Sequence, residues 1–138
     1  MVLADGAGTP LGIHLEKASP SEVRLVEATL KSVRVKTGKR KCGAPRRLIG
    51  DRGYDSNTVR ALLVKRGIEP IIPARSNHTV ATHQDGRKMR RYKRRWIIER
   101  SNSWLQHFRK LVVRYERSPT IFAALVHMAC ALITLKRV

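Results

Sequence analysis

Two short, mainly apolar runs stand near the start of the chain, residues 2–5 (VLAD) and 11–15 (LGIHL), set around Gly6, Gly8 and Pro10. Short extended runs on either side of turn formers predict a β-hairpin. The string Ser19-Pro20-Ser21-Glu22 reads as a helix start, with Ser19 as N-cap, Pro20 at the first helical position and Glu22 three residues after the cap. Val23, Val26 and Leu30 then recur at helical spacing to about Val33. Leu48 and Ile49 form a short apolar run that ends at Asp51 and predicts a buried strand. Asp55 or Ser56 can cap a second helix, with Val59, Leu62 and Leu63 on its apolar side and Gly67 as its stop behind Lys65 and Arg66. Residues 68–72 predict another strand, closed by Pro73. A long helix is expected over about 88–112. Ser118-Pro119 opens a last helix, apolar all round and therefore expected to be buried. The basic stretch 36–47 and the polar stretch 74–86 read as connectors. The order β-β-α-β-α-β-α-α predicts a single α/β domain over residues 1–138, with helices packed on a mixed sheet.

Charge changes this picture from a fold to a partner. Lys and Arg number 29 against 10 Asp and Glu, a net charge of +19. Such an excess repels itself in the compact state, and a polyanion relieves the repulsion. Nucleic acid is the expected partner, because phosphate contacts supply most of its non-specific affinity. Cys42 and Cys130 stand far apart with no metal-ligand spacing and read as free thiols of a reducing compartment. The opening residues lack the basic and apolar regions of a signal peptide, and the apolar run from Ile121 to Leu135 is short of a bilayer span. A cytoplasmic protein with no membrane partner is expected.

With ten acidic residues, each can be placed. Glu22 and Glu27 fall on an amphipathic helix, Asp55 on a helix cap, and Asp5 before Gly6 in a tight turn that favours Asp for its geometry. Glu16, Glu69, Asp85 and Glu116 sit at element ends or in loops. Asp51 and Glu99 are left. Asp51 follows a strand in LIGDRGYDS, at the sheet edge where α/β proteins bind ligands, and a rigid carboxylate suits a hard cation such as Mg²⁺. A turn Asp ahead of Arg52-Gly53 fits the position equally well. Glu99 shares a helical face with Tyr92 and Arg95, at spacings i, i+3 and i+7, and Asn102 and Gln106 extend that stripe. It stands among phosphate-binding residue types. An Arg95–Glu99 salt bridge at i, i+4, worth a few tenths of a kcal/mol, also accounts for it.

The strings LIGDRGYDS, RGIEPIIPAR, YKRRWIIERSNSWLQHFRKL and ALVHMACALITLKR resemble the DDE transposases of bacterial insertion sequences, in particular the insertion-sequence-5-type branch of the insertion-sequence-4/5 superfamily. The resemblance implies a ribonuclease-H-like fold in which two Asp and one Glu hold two Mg²⁺ or Mn²⁺ ions for cleavage and strand transfer of DNA. On it, Asp51 takes the place of the second carboxylate and Glu99 that of the third, as catalytic and metal-binding residues. Tyr92 and Arg95 match the Tyr and Arg of the helix motif, and Lys88, Arg91 and Arg94 join them as expected DNA contacts. Gln106 departs from the pattern, which has a basic residue there. The first Asp of the family lies on a strand before the hairpin, so the expectation is a C-terminal part of a catalytic domain, truncated before that strand. Such a chain should be inactive alone, with an exposed sheet edge. Its expected partners are double-stranded DNA of the transposon ends and target, the upstream transposase segment, and further copies of itself on DNA. Two other readings are a non-catalytic DNA-binding remnant of the same fold and a basic structural RNA-binding protein.

Overall fold

The computed structural model describes residues 1–16, 22–34, 45–75 and 86–137, apart from the side chains of Glu22, Arg87 and Lys88. The expected helix start at Ser19, most of the connectors at 36–47 and 74–86, and Cys42 lie outside the described residues.

The hairpin forms where those two runs place it. β1 (Val2–Ala4) and β2 (Pro10–Ile13) pair antiparallel, Val2 opposite Ile13 and Leu3 opposite Gly12. The register slips between Leu3 and Ala4, whose partner is Pro10, a residue with no N–H to give the ladder. Asp5 builds the turn, its Oδ1 accepting from the amides of Ala7 and Thr9 at 2.8 Å each. Gly8 turns the chain at φ +85°, a conformation that strains any side chain. α1 (Glu22–Ser32) packs against β2. Gly12 permits that approach, since a Cβ there would stand 2.8 Å from Ser32 Oγ.

β3 (Arg47–Ile49) and β4 (Glu69–Ile71) run parallel, joined through α2 (Asn57–Lys65) as a βαβ unit. α2 stops where Gly67 predicts. Gly67 takes φ +67°, its amide bonds to Val64 O at 2.9 Å, and the Ile68 amide bonds to Leu63 O at 2.9 Å. Val26, Val59, Leu63, Ile68 and Ile72 form the core between α1, α2 and the parallel pair.

Four expectations need correction. The mixed sheet is, among the described residues, two separate two-stranded sheets, β1–β2 and β3–β4, so the α/β class holds without a single continuous sheet. The long helix is divided into α3 (Gly86–Met89), a 3₁₀ stretch at Arg90–Arg95, α4 (Trp96–Gln106) and α5 (Arg109–Val112). Like charges at i, i+4 (Arg90 with Arg94, Arg91 with Arg95) weaken α winding, and no residue of the 3₁₀ stretch is buried to compensate. Phe108 turns to extended backbone and ends the run a second time. The last helix, α6 (Pro119–Leu135), buries one face, Val126, Ala129 and Ile133, against β2, α4 and α5. Its Ile121, Met128 and Leu132 are exposed, because no described element covers them. Finally, Asp55 is no helix cap. Ser56 holds the N-cap position without a side-chain bond, and the Asp55 carboxylate is buried against Arg60.

No helix among the described residues is long and apolar enough to cross a membrane. Cys130, on α6, is a free thiol, and burial pushes its pKa up.

Candidate functional site

The two sheets do not touch edge to edge, and a cleft of about 880 Å³ opens between them. All of β1 and all of β3 line it, with Ile71 of β4, Val59 of α2, and Ile97 and Ile98 of α4 giving it an apolar floor. Its polar groups converge from three directions. Asp51 arrives from the end of β3, Glu99 and Asn102 from α4, and Arg91, Arg94 and Arg95 from the 3₁₀ stretch.

Asp51 is fixed by its own turn. The Gly50 amide bonds to Ile71 O at 3.2 Å, prolonging the β3–β4 ladder by one rung. Asp51 Oδ1 then accepts from the Gly53 amide at 2.7 Å and caps a 3₁₀ turn at Arg52–Tyr54. The turn role is therefore real. It occupies one carboxylate oxygen, while the residue still borders the cleft. A second layer holds the turn. Asp55 Oδ1 accepts from Arg60 Nε at 2.9 Å and Oδ2 from the Arg75 amide at 2.7 Å, while Arg75 Nη2 donates to Gly53 O at 2.8 Å. The sequence reading missed Arg60 and Arg75 in this role. Nothing in their spacing reveals it, since the two residues meet Asp55 from different segments.

Glu99 lies in the first turn of α4, where a carboxylate is favoured by the helix dipole. Arg95 Nη2 meets Glu99 Oε1 at 2.7 Å, with both side chains partly exposed, so the i, i+4 salt bridge weighed from the sequence is present. Such an exposed pair contributes well under about 1 kcal/mol, and a competing phosphate can open it.

Of the expected DNA contacts, Arg91, Arg94 and Arg95 line the cleft. Tyr92 is half-buried and is not part of the cleft wall. The 3₁₀ winding explains this: about 120° per residue instead of about 100° turns Tyr92 some ~60° away from the face it would share with Glu99 on a continuous α-helix. Lys88 falls in α3, and its side chain lies outside the described residues. Gln106, at the far end of α4, is exposed and away from the cleft. Asp5 borders the cleft, yet its Oδ1 is held by the Ala7 and Thr9 amides, as its turn position predicts.

A basic α/β chain with Asp5, Asp51, Glu99 and an arginine row on one cleft is a form suited to handling phosphates. The profile of the Transposase DDE domain family matches residues 1–134, and the chain belongs to that family. It is similar to a curated Burkholderia cepacia protein named as a transposase for insertion sequence element IS402, 36% identical over 141 residues. That match takes in 99% of this chain and 63% of the relative, so the chain spans less than two thirds of the relative's length. No solved structure gives a significant match.

DDE transposases use divalent metal ions, which need several anionic oxygens held together. Among the described residues no group of three or more His, Cys, Asp or Glu side chains could hold a metal ion. Asp51 and Glu99 alone do not fit the two ions expected from the sequence, and Asp5 is committed to its turn.

Proposed function

We propose that this chain is the part of an insertion-sequence transposase that carries the second and third acidic residues, Asp51 and Glu99, together with an arginine row for DNA. The observation that carries this reading is their convergence. Residues 48 positions apart in sequence border one cleft with Arg91, Arg94 and Arg95 beside them. In it the arginines grip phosphates of the transposon end and the two carboxylates face the scissile bond. Partners are double-stranded DNA and further copies of the transposase.

The cleft also suggests what completes the site. Its walls are the edges of two incomplete sheets, β1 on one side and β3 on the other, and its floor is apolar. A strand from outside the described residues, inserted between β1 and β3, would join them into the one mixed sheet of a ribonuclease-H-like domain. A carboxylate on that strand would complete the acidic set.

The test is strand cleavage of element ends in the presence of Mg²⁺ or Mn²⁺. The 138-residue chain alone is expected to bind DNA without nicking it. With the upstream transposase segment fused in frame, cleavage should appear, and Asp51→Ala or Glu99→Ala should abolish it with DNA binding kept or strengthened, since a phosphate-repelling charge is gone. Wild-type cleavage by Glu99→Ala would leave that residue with its salt bridge only. A second reading, DNA binding without catalysis, is favoured because no group of three or more His, Cys, Asp or Glu among the described residues could hold a metal ion. It predicts that the fused protein binds ends and never cuts them.

A further inference from the structure

Arg100 follows Glu99 in a strongly basic stretch, yet it is not among the arginines that line the cleft. Its guanidinium lies between two indoles, 4.8 Å from the Trp96 ring centroid and 5.0 Å from that of Trp104, one helical turn on either side. Its Nη2 donates to Ala7 O at 2.8 Å, and its Nε is buried with no hydrogen-bond partner among the described residues. An orphaned buried donor is unfavourable unless something else holds the charge, and the two π faces do so here. Ser101, fully buried, has its hydroxyl 2.7 Å from Gly8 O and 3.0 Å from Ile97 O of its own helix, the contact with the turn being the shorter. Arg94 Nη2 reaches Gly6 O at 3.3 Å. Three successive carbonyls of the hairpin turn are therefore taken up by side chains of α4 and the stretch leading into it.

The turn is shaped for this contact. Asp5 Oδ1 gathers the Ala7 and Thr9 amides inward, which leaves the carbonyls of residues 6–8 facing the helix. At Gly8 a Cβ would stand 3.0 Å from Ser101 Oγ and 3.2 Å from Arg100 Nη2, so a side chain there would crowd both groups in addition to straining the φ of +85°.

We infer that Arg100 and Ser101 are positioning residues, which grip the hairpin turn through its carbonyls and so set where Glu99 stands relative to Asp51. Glu99 sits directly before this pair, on a helix whose first turn also buries Ile97 while Trp96 stays half-exposed and Arg95 is a surface partner. Asp51 is fixed separately, by its own turn on the parallel sheet. The distance between the two carboxylates thus depends on how α4 is held to the hairpin. The significance for catalysis rests on the reading of Glu99 above; the positioning itself does not.

Paired nitroxide labels at the exposed positions Arg52 and Asn102, introduced as cysteines with Cys42→Ser and Cys130→Ser, measure that geometry in the full chain. Asp51 and Glu99 stay intact. The parent should give one narrow distance distribution. Arg100→Lys keeps the charge and loses the stacked fork, and Ser101→Ala removes one hydroxyl; each should broaden and shift the distribution. Arg100→Lys should also change the intrinsic fluorescence, because Trp96 and Trp104 are the chain's two tryptophans. Gly67→Ala, at a left-handed position with nothing near its Cβ, supplies the control: it should lower the melting temperature and leave the distribution as in the parent. If Arg100→Lys and Ser101→Ala lower the melting temperature as Gly67→Ala does and leave the distribution narrow and unshifted, they are structural only and the inference is overturned. Failure of the transposase reading would show instead in the cleavage assay, with the distance result unaffected.

Discussion

At the scale of the residue, Asp55 shows how a side chain assigned a local role can act over a distance. Its position before α2 suits a cap, but its side chain is fully buried and pairs with Arg60 at 2.8 Å. Breaking a buried pair from one side leaves the other charge without compensation, which costs about 3–5 kcal/mol. Asp55→Ala also releases the Arg75 amide and with it the brace on the turn after Asp51. Chemical denaturation should therefore show Asp55→Ala losing roughly that amount, a large part of a small domain's stability. A loss below about 1 kcal/mol would mean that water replaces the carboxylate and the pair is not the brace described.

Elements show the same balance between local rule and packing. α1 and α2 are joined through Glu27, which meets Lys31 at 3.1 Å on its own helix and Arg66 at 2.8 Å beyond the end of α2. The Lys31 hydrogen bond and charge, with Arg66 adding to them, hold the Glu27 carboxyl below its ordinary value of 4.5. A depressed carboxyl pKa means that the folded state binds its proton less readily than the unfolded chain. The contribution is complete above the unfolded pKa and is lost as pH falls through the folded one, so the window opens below about 4.5. Glu27→Gln should flatten the acid limb of a melting-temperature curve in that window and change little at neutral pH beyond the loss of an exposed ion pair. An unchanged acid limb would remove Glu27 as its source. α6 carries the opposite lesson. Its uniform apolarity predicts burial, yet the described elements cover one face of it.

For the whole molecule, the charge of +19 dominates. Lys and Arg are spread from the 36–47 segment to the 3₁₀ stretch beside the cleft, so binding should be governed by phosphate contacts with little sequence preference. For six or more such contacts, affinity should fall by about a thousandfold or more between roughly 50 and 200 mM salt. Filter binding or fluorescence anisotropy over that range reads the slope. Tight, salt-insensitive binding to one short sequence would contradict it.

Much of this was legible in the sequence. The hairpin, α1, the strand–helix–strand unit and the Gly67 stop follow from periodicity and backbone chemistry, which act over a few residues. The charge excess points to a polyanionic partner, and the string from Asp51 to Asp55 with Glu99 carries the resemblance to the family that the profile match shows. Periodicity could not decide whether 88–112 is one helix, because charge repulsion and missing burial compete with the pattern at Arg90–Arg95 and win. That break takes Tyr92 off the cleft and keeps Arg95 on it. Nor could it tell an arginine that lines the cleft from one docked on the hairpin turn. Arg91 and Arg100 look alike in the chain, and only the docking of the hairpin turn on α4 draws Arg100 between its two indoles. The convergence of Asp51 and Glu99 was likewise a tertiary outcome: Asp51 follows β3 and Glu99 lies on α4, and the packing of those elements around one cleft puts them on the same surface.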